Sequence, residues 1–268
     1  MTKEAEIFKS KNLLNYESLS MKEFNSFPVL SGIYKFNVGK HTFDLICIKN
    51  DDSSVVDHFW KGHHDTAGLE LWSKITENEG VYIDVGSHTG LYTILGLLSN
   101  KNNLLISIEP SFINLGRMKS NLRLNNIFNN NSHFLGAASD FSGQSFFKGH
   151  YDNTYMSKGG KISSSGEKIN VIRLDDISIT GEKKIKGIKI DTEGEDHKVL
   201  FGAENIIRKF KPHIIVETRE SNKTEIFNFL SRFGYKFSII RNKIVPVNLS
   251  NLKIKDVANI YASVKPMI

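Results

Sequence analysis

Apolar and polar positions alternate with period two over residues 32–49, in IYKFNV and TFDLICIK, around Gly39 and Lys40. That alternation predicts two strands joined as a hairpin. Residues 1–30 carry a mixed helical periodicity. Residues 57–68 read as a polar segment holding His58, His63 and His64. Over residues 68–78, GLELWSKITEN repeats its apolar positions at helical spacing and predicts a short amphipathic helix.

Beyond residue 80 the pattern changes. Short apolar runs at 81–85, 104–108, 133–138, 169–174, 185–190 and 213–217 predict strands. Helical segments at 91–98, 114–125, 195–210 and 223–233 fall between several of them. Strands alternating with helices imply a parallel sheet covered on both faces. The end differs: runs at 236–241 and 260–265, with no clear helix between them, predict an antiparallel hairpin at the sheet edge. The strongest loop signal is SKGGKISSSGEK at 157–168, placed where an insertion covering a substrate could sit. Neither it nor the Asn cluster at 129–132 reads as a domain linker, because strand signals resume within a few residues.

Composition adds limits. At 268 residues, 40% hydrophobic and 24% charged, the chain can bury a large core without staples, which excludes collagen, coiled coil and wholesale disorder. Its single cysteine, Cys47, excludes a disulfide framework and a cysteine-based zinc site. The start, MTKEAEIFKSKNLL, lacks the apolar core of a signal peptide, and no run approaches the roughly 20 apolar residues of a membrane span. We therefore expect a cytoplasmic protein without a membrane span. The net charge of +6 is scattered, apart from Arg117, Lys119 and Arg123 on one helix, so no nucleic-acid partner is expected.

In a doubly wound sheet, ligands sit outside the carboxyl ends of the strands. The first run of the sheet ends in Asp84-Val85-Gly86-Ser87-His88-Thr89-Gly90, and the second in Glu109-Pro110-Ser111. Glycines at 86 and 90 permit a tight turn close to a ligand. An acidic residue about 20 positions past such a turn commonly binds a ribose diol. Two cofactors suit this layout, a dinucleotide and S-adenosylmethionine. A dinucleotide wants Gly-x-Gly-x-x-Gly and an anion site. Here the spacing is Gly-x-x-x-Gly, and Asp84 would repel a pyrophosphate by about 1–4 kcal/mol at 4 Å. S-adenosylmethionine carries an ammonium and a sulfonium, which Asp84 suits. The third feature is Lys189-Ile190-Asp191-Thr192-Glu193-Gly194, where strand alternation puts Lys189, Asp191 and Glu193 on one side. Glu217 ends the next strand and would face the same crevice. These charges read as a proton-transfer site, a metal site or a solvated strand end.

Five segments in order, VYIDVGSHTGLYT, ISIEPSFINLGRMKSNLRLN, VIRLDDI, IKGIKIDTEGEDHKVLFGA and PHIIVE, resemble the FkbM family of S-adenosylmethionine-dependent methyltransferases. The likeness runs from about residue 70 to the end. His88 stands where Asn is frequent in that family, and Asp196 where Glu is usual. The resemblance implies a class I methyltransferase fold: a Rossmann-like sheet of seven strands, the last antiparallel, with helices on both faces. Residues 1–68 would form an N-terminal β/α extension, a helix plus hairpin packed on a catalytic domain of residues 69–268. The resemblance also implies O-methylation of a hydroxyl on a sugar, glycan or glycosylated small molecule. Asp84, Gly86 and the turn Ser87, His88, Thr89 and Gly90 would hold the methionine part, with Thr93 adding a hydroxyl. Glu109 would bind the ribose. Ser111 and Phe112 would border the adenine, and Ala138, Ser139 and Asp140 could also reach it.

The reaction expected is in-line attack by the acceptor hydroxyl on the methyl group, with Asp191 as first choice of base. Glu193 would raise its proton affinity and Lys189 would lower it. His63 and His64 are rival bases, or surface histidines of a polar loop, and Glu217 is a further candidate. Asp191, Glu193 and Asp196 could offer oxygens to Mg²⁺, but their spacing matches no dedicated metal motif, so a divalent metal is an option but not the favoured one. Trp60 and Trp72 flank the histidine segment as sugar-stacking candidates or helix anchors. An NAD-dependent oxidoreductase, a nucleic-acid methyltransferase and a non-catalytic binding module are the alternatives.

Overall fold

The computed structural model describes residues 2–12, 14–24, 26–151, 156–179, 183–248, 252–255 and 257–265. The chain opens with helices α1 (Thr2–Lys11) and α2 (Met21–Phe24), then the expected hairpin of β1 (Ser31–Val38) and β2 (His41–Ile48). Helices α3 (Ser53–Lys61) and α4 (Thr66–Thr76) follow. Most of the polar segment at 57–68 is therefore helical. Asp52 caps α3, accepting from the Ser54 and Val55 amides at 2.9 and 3.2 Å, and the helix buries Val55, Val56 and Trp60. The histidines masked that apolar face.

The main sheet is built from β3 (Val81–Val85), β4 (Leu104–Glu109), β5 (Asn131–Leu135), β10 (Ile185–Ile190), β11 (His213–Arg219), β12 (Lys236–Ile240), β13 (Ile244–Pro246) and β14 (Val257–Ser263). Their order is β13-β12-β14-β11-β10-β3-β4-β5. Strands β5, β4, β3, β10 and β11 are mutually parallel, and β14 is antiparallel to both neighbours. This is the seven-stranded class I order with the last strand antiparallel, plus a short eighth strand, β13, at the edge. The expected edge hairpin of the last two runs is corrected. Strand β12 makes its hairpin with β13, while β14 inserts between β12 and β11. Ile260, Tyr261 and Ala262 are fully covered, as a central strand requires.

Helices α5 (Leu91–Ser99), α6 (Phe112–Leu124) and α4 cover one face, where Leu69, Trp72, Leu95 and Met118 share a core with the hairpin and with α3. Helices α7 (Asp196–Phe201), α8 (Glu204–Phe210) and α9 (Lys223–Ser231) cover the other. The single helix expected over 195–210 is broken at Gly202, where a Cβ would overlap the Ser139 carbonyl oxygen. Trp60 and Trp72 are 1% and 0% exposed, so both are helix anchors and neither offers a stacking face.

A second sheet interrupts the first, with β6 (Ala137–Ala138), β7 (Gly143–Tyr151), β8 (Ser157–Ser163) and β9 (Glu167–Ile172) in the order β6-β9-β7-β8. Three expectations change here. The run at 133–138 splits at Gly136 between the two sheets. The run at 169–174 belongs to the second sheet, not the first. The 157–168 loop is strand, turn and strand; Ser157, Gly160 and Ser163 lie along a ladder with β7, and Ser164 to Gly166 make the bend. Gly160 is needed there because a Cβ would overlap the Phe147 ring.

Asparagines of α6 tie down the hairpin. Asn125 Oδ1 accepts from the Asp44 amide at 2.8 Å, and Asn121 Oδ1 accepts from the Ile46 amide at 3.0 Å. Arg117, one of the three basic residues on that helix, is committed to Asp51 at 2.8 Å and to the Ile46 carbonyl at 3.0 Å. Among the described residues no helix is long and apolar enough to cross a membrane.

Candidate functional site

The carboxyl ends of β3, β4 and β10 open on one cleft. The β3 end is set by buried hydrogen bonding. Thr93 Oγ1 donates to Asp84 Oδ2 at 2.6 Å and is itself 2.8 Å from Ser107 Oγ, so Thr93 supports Asp84 from behind. Gly86 adopts φ +74°, and a Cβ there would overlap the Asp191 carbonyl oxygen. Gly90, at φ +91°, starts α5 against Met118. His88 has φ +48° and donates its amide to Glu109 Oε2 at 2.9 Å. Thr89 Oγ1 donates to Asp52 Oδ2 at 2.6 Å, which brings Ser53 and Ser54 of α3 over the turn.

Glu109 closes the β4 end. Its Oε1 accepts from the Ser111 amide at 3.0 Å and from Asn114 Nδ2 at 3.3 Å. Burial raises its proton affinity, against the His88 charge and these amides. Ser111 caps α6 by accepting from the Asn114 amide at 3.3 Å. An apolar slot of Val85, Ile108, Pro110, Ala138, Phe147 and Ile162 lies beside Glu109, with Gly159, Gly160 and Lys161 of the second sheet across it.

Lys189 is the register neighbour of Asp84 and only 3% exposed. Its ammonium contacts Asp191 Oδ2 at 2.9 Å and sits 4.9 Å from the Tyr92 ring centre. Burial pushes Asp191 toward protonation, but the Lys189 charge, its hydrogen bond and one from Glu217 outweigh it, so Asp191 titrates below the usual carboxylate range. The expected contest over Asp191 is thus decided by Lys189. Burial, then the charges of Asp191, Asp196 and Glu193, push Glu217 up to about 8. Asp84 is raised by burial, against Lys189.

Strand alternation does not carry on to Glu193. The strand ends at Ile190, and Glu193 turns at φ +58°. Its carboxylate meets Arg219 Nη2 at 2.6 Å, and the same guanidinium holds Glu217 at 2.8 Å. Asp196 accepts from the Thr192 and Gly194 amides at 2.9 and 3.1 Å, a loop-capping arrangement. Among the described residues no group of three or more His, Cys, Asp or Glu is placed to hold a metal ion.

The cleft consists of two joined cavities of about 250 and 290 Å³, meeting at Ser54, His64, Gly86, His88 and Asp191. Of the residues singled out from sequence, Asp84, Gly86, Ser87, His88, Thr89, Glu109, Ala138, His64, Lys189, Asp191 and Glu193 line it. Gly90, Thr93, Ser111 and Glu217 stand behind the wall. Phe112 is 73% exposed and outside it. Ser139 is buried with Oγ 3.2 Å from exposed Asp140, and neither lines the cleft. His63 lies outside too, paired with Glu17 at 2.7 Å.

The sequence reading missed several lining residues: Asp65, Tyr92, Asn114, Phe147 and Asn259. Asp65 precedes α4, where an Asp reads as a helix cap worth roughly 0.5–2 kcal/mol. It makes no capping bond and adopts φ +44°. Its Oδ2 instead accepts from the Tyr92 hydroxyl. Burial, then the Asp65 charge, raises the Tyr92 phenol well above its ordinary value.

The methyltransferase FkbM domain family matches residues 84–237. No curated protein matches the chain. Among solved structures, methyltransferase FkbM from Methylobacillus flagellatus KT superposes with TM-score 0.50 and 16% identity, over 78% of this chain and 52% of that one. The chain therefore spans about half the length of that structure, and the likeness shows the fold. M. jannaschii TYW2 in complex with AdoMet gives TM-score 0.47 and 13% identity, over 88% of this chain and 86% of that one. Precorrin-6y C5,15-methyltransferase from Geobacter metallireducens GS-15 gives 0.46 and 11%, over 75% and 88%.

Proposed function

Because the chain belongs to the FkbM methyltransferase family, we propose that it transfers a methyl group from S-adenosylmethionine to a hydroxyl of a sugar, glycan or glycosylated small molecule. The observation that carries this reading is one cleft joining Glu109, beside an apolar slot, to Asp84 and Asp191 through the Gly86–Gly90 turn. The donor set fits that cofactor. The Glu109 carboxylate borders a slot lined by apolar side chains, and carboxylates stand at the far end. No Lys or Arg stands in the turn itself to receive a pyrophosphate. Ser87 Oγ and Asn259 Oδ1 are buried on the wall without a partner among the described residues. The Gly-x-x-x-Gly spacing and the Asp84 carboxylate disfavour the NAD-dependent oxidoreductase.

When bound, S-adenosylmethionine supplies an electrophilic methyl on a sulfonium. The protein's work is alignment and proton handling. Glu109 holds the ribose end, and the Ser87–Gly90 turn the methionine end. Asp191, fixed by Lys189, orients the acceptor hydroxyl and takes up its proton. Glu217, titrating at about 8, already holds a proton near neutral pH and donates it to Asp191 as a hydrogen bond, which leaves Asp191 as the group that accepts the hydroxyl proton. His64, in the cleft wall, is the rival base. No metal enters this reading.

Thermal unfolding with S-adenosylhomocysteine and, in parallel, NAD tests it. Ligand at 100 times its Kd adds about 2.7 kcal/mol, a rise of roughly 5–10 °C for a chain this size. A rise only with S-adenosylhomocysteine supports the reading, and methyl transfer to a panel of sugars then tests the acceptor class. A rise only with NAD sinks it. Cofactor binding without turnover on any acceptor would favour the non-catalytic module.

A further inference from the structure

The second cavity has a wall that the family match at 84–237 does not include. Its centre is Asp65. Three features show that this carboxylate is placed there rather than left over. The residue adopts a left-handed backbone at φ +44°, a minority conformation for non-glycine residues that Asp tolerates better than most. It stands at the start of α4 without capping it. And α4 carries Gly68 where any larger residue would displace the pair, since a Cβ at 68 would lie 2.5 Å from Asp65 Oδ1 and 2.6 Å from the Tyr92 hydroxyl. Backbone, helix start and glycine together aim the carboxylate at the Tyr92 hydroxyl in the cavity wall.

The charges facing Asp65 define what it can hold. The same cavity is lined by Asp84, Lys189 and Asp191 and by the imidazoles of His64 and His88. The Lys189 ammonium is taken by Asp191 at 2.9 Å, below the Tyr92 ring. Asp65 makes no direct ion pair among the described residues; the Lys189 charge acts on it only from a distance, and its hydrogen-bond partner is a neutral hydroxyl. Three carboxylates thus face one ammonium, and the unmatched site beside Asp65 calls for a cation that also donates hydrogen bonds. A primary ammonium does both.

Resting on the S-adenosylmethionine reading above, we propose that Asp65, held by Tyr92 and admitted by Gly68, is the counter-ion for the α-ammonium of the cofactor's methionine tail. The N-terminal segment then completes the cofactor site. The Gly86–Gly90 turn supplies the floor, and Asp65 supplies the charge.

Calorimetric titration of S-adenosylhomocysteine and 5′-methylthioadenosine, which lacks the amino-acid end, tests this. Wild type, Asp65→Asn and Tyr92→Phe are compared, with circular dichroism as the check on folding. Asp65→Asn should weaken S-adenosylhomocysteine by about ten- to a hundredfold, the range for a hydrogen bond to a charged group, and leave 5′-methylthioadenosine unchanged. Tyr92→Phe keeps the ring over Lys189 and should produce a smaller loss with the same selectivity; it carries the test if Asp65→Asn does not fold. Equal weakening of both ligands, or of neither, overturns the proposal. So does unchanged S-adenosylhomocysteine binding with lost turnover, which would turn Asp65 toward the acceptor. If wild type binds neither ligand, the cofactor reading itself fails and the proposal with it.

Discussion

The Lys189 ammonium lies 2.9 Å from Asp191 Oδ2, between a carboxylate that is 37% exposed to the cleft and the neighbouring Asp84, which is buried. One buried cation therefore serves two acids on adjacent strands. Removing it leaves Asp84 with the Thr93 hydroxyl and Asp191 with Glu217 and cleft solvent, but neither with an opposite charge. Lys189→Met should cost roughly 1–3 kcal/mol at neutral pH, less than a fully buried pair because solvent in the cleft reaches Asp191. Chemical denaturation at pH 7 measures it, and a loss below about 0.5 kcal/mol would show that Lys189 is not the counter-charge of these acids. The pH dependence follows in sign. Asp191 is lowered in the folded state, so its contribution is present above its ordinary value of 3.8 and is lost as pH falls through the folded value.

Glu217 runs the other way. Its folded value of about 8 lies above its ordinary 4.5, so the folded state holds a proton that the unfolded state has released. Its contribution is complete below pH 4.5 and is lost as pH rises to 8, by up to about 1.4 kcal/mol per pH unit. Glu217→Gln should flatten the stability profile between pH 5 and 8. If methyl transfer uses this carboxylate, the same substitution removes an activity limb near pH 8. Denaturation series and pH–rate profiles of the two proteins decide both points.

Gly86 is a steric requirement. A side chain at 86 would strain a positive φ and overlap the Asp191 carbonyl oxygen. Gly86→Ala should abolish the S-adenosylhomocysteine thermal shift, whereas Gly39→Ala, at a hairpin turn with open space around it, should keep it.

Trp72 separates stability from binding. It is fully buried and donates its indole N–H to the Tyr92 carbonyl at 2.9 Å. Trp72→Phe should cost roughly 1–3 kcal/mol through lost volume and the lost indole hydrogen bond, with little change in S-adenosylhomocysteine affinity for the folded protein. Denaturant midpoints and calorimetry on the folded fraction measure the two separately.

The β3–α5–β4–α6 core was legible because its strands are covered on both faces and read as unbroken apolar runs, and because Asp84 and Glu109 stand where those runs stop. The second sheet was not. Strand β8 is largely Gly, Ser and Lys, and its glycines serve neighbours far along the chain: Gly160 clears the Phe147 ring, and Gly159 runs close to Glu193. Glu193 was expected beside Asp191 because alternation was carried past the strand end. A positive φ turned it to Arg219 instead. Asp65 was hidden because its environment, the Tyr92 hydroxyl and Gly68, is assembled from α4 and α5 together.

Asp52 accepts from the first turn of α3 with one oxygen and from Thr89 with the other. The family match begins at residue 84, which invites excision of that region as a minimal enzyme. A fragment cut at residue 80 would leave Thr89 without its acceptor and strip Ser54, His64 and Asp65 from the cleft. Anyone transplanting this catalytic unit into another scaffold, or building a chimera with a relative, should therefore place the junction ahead of the first hairpin.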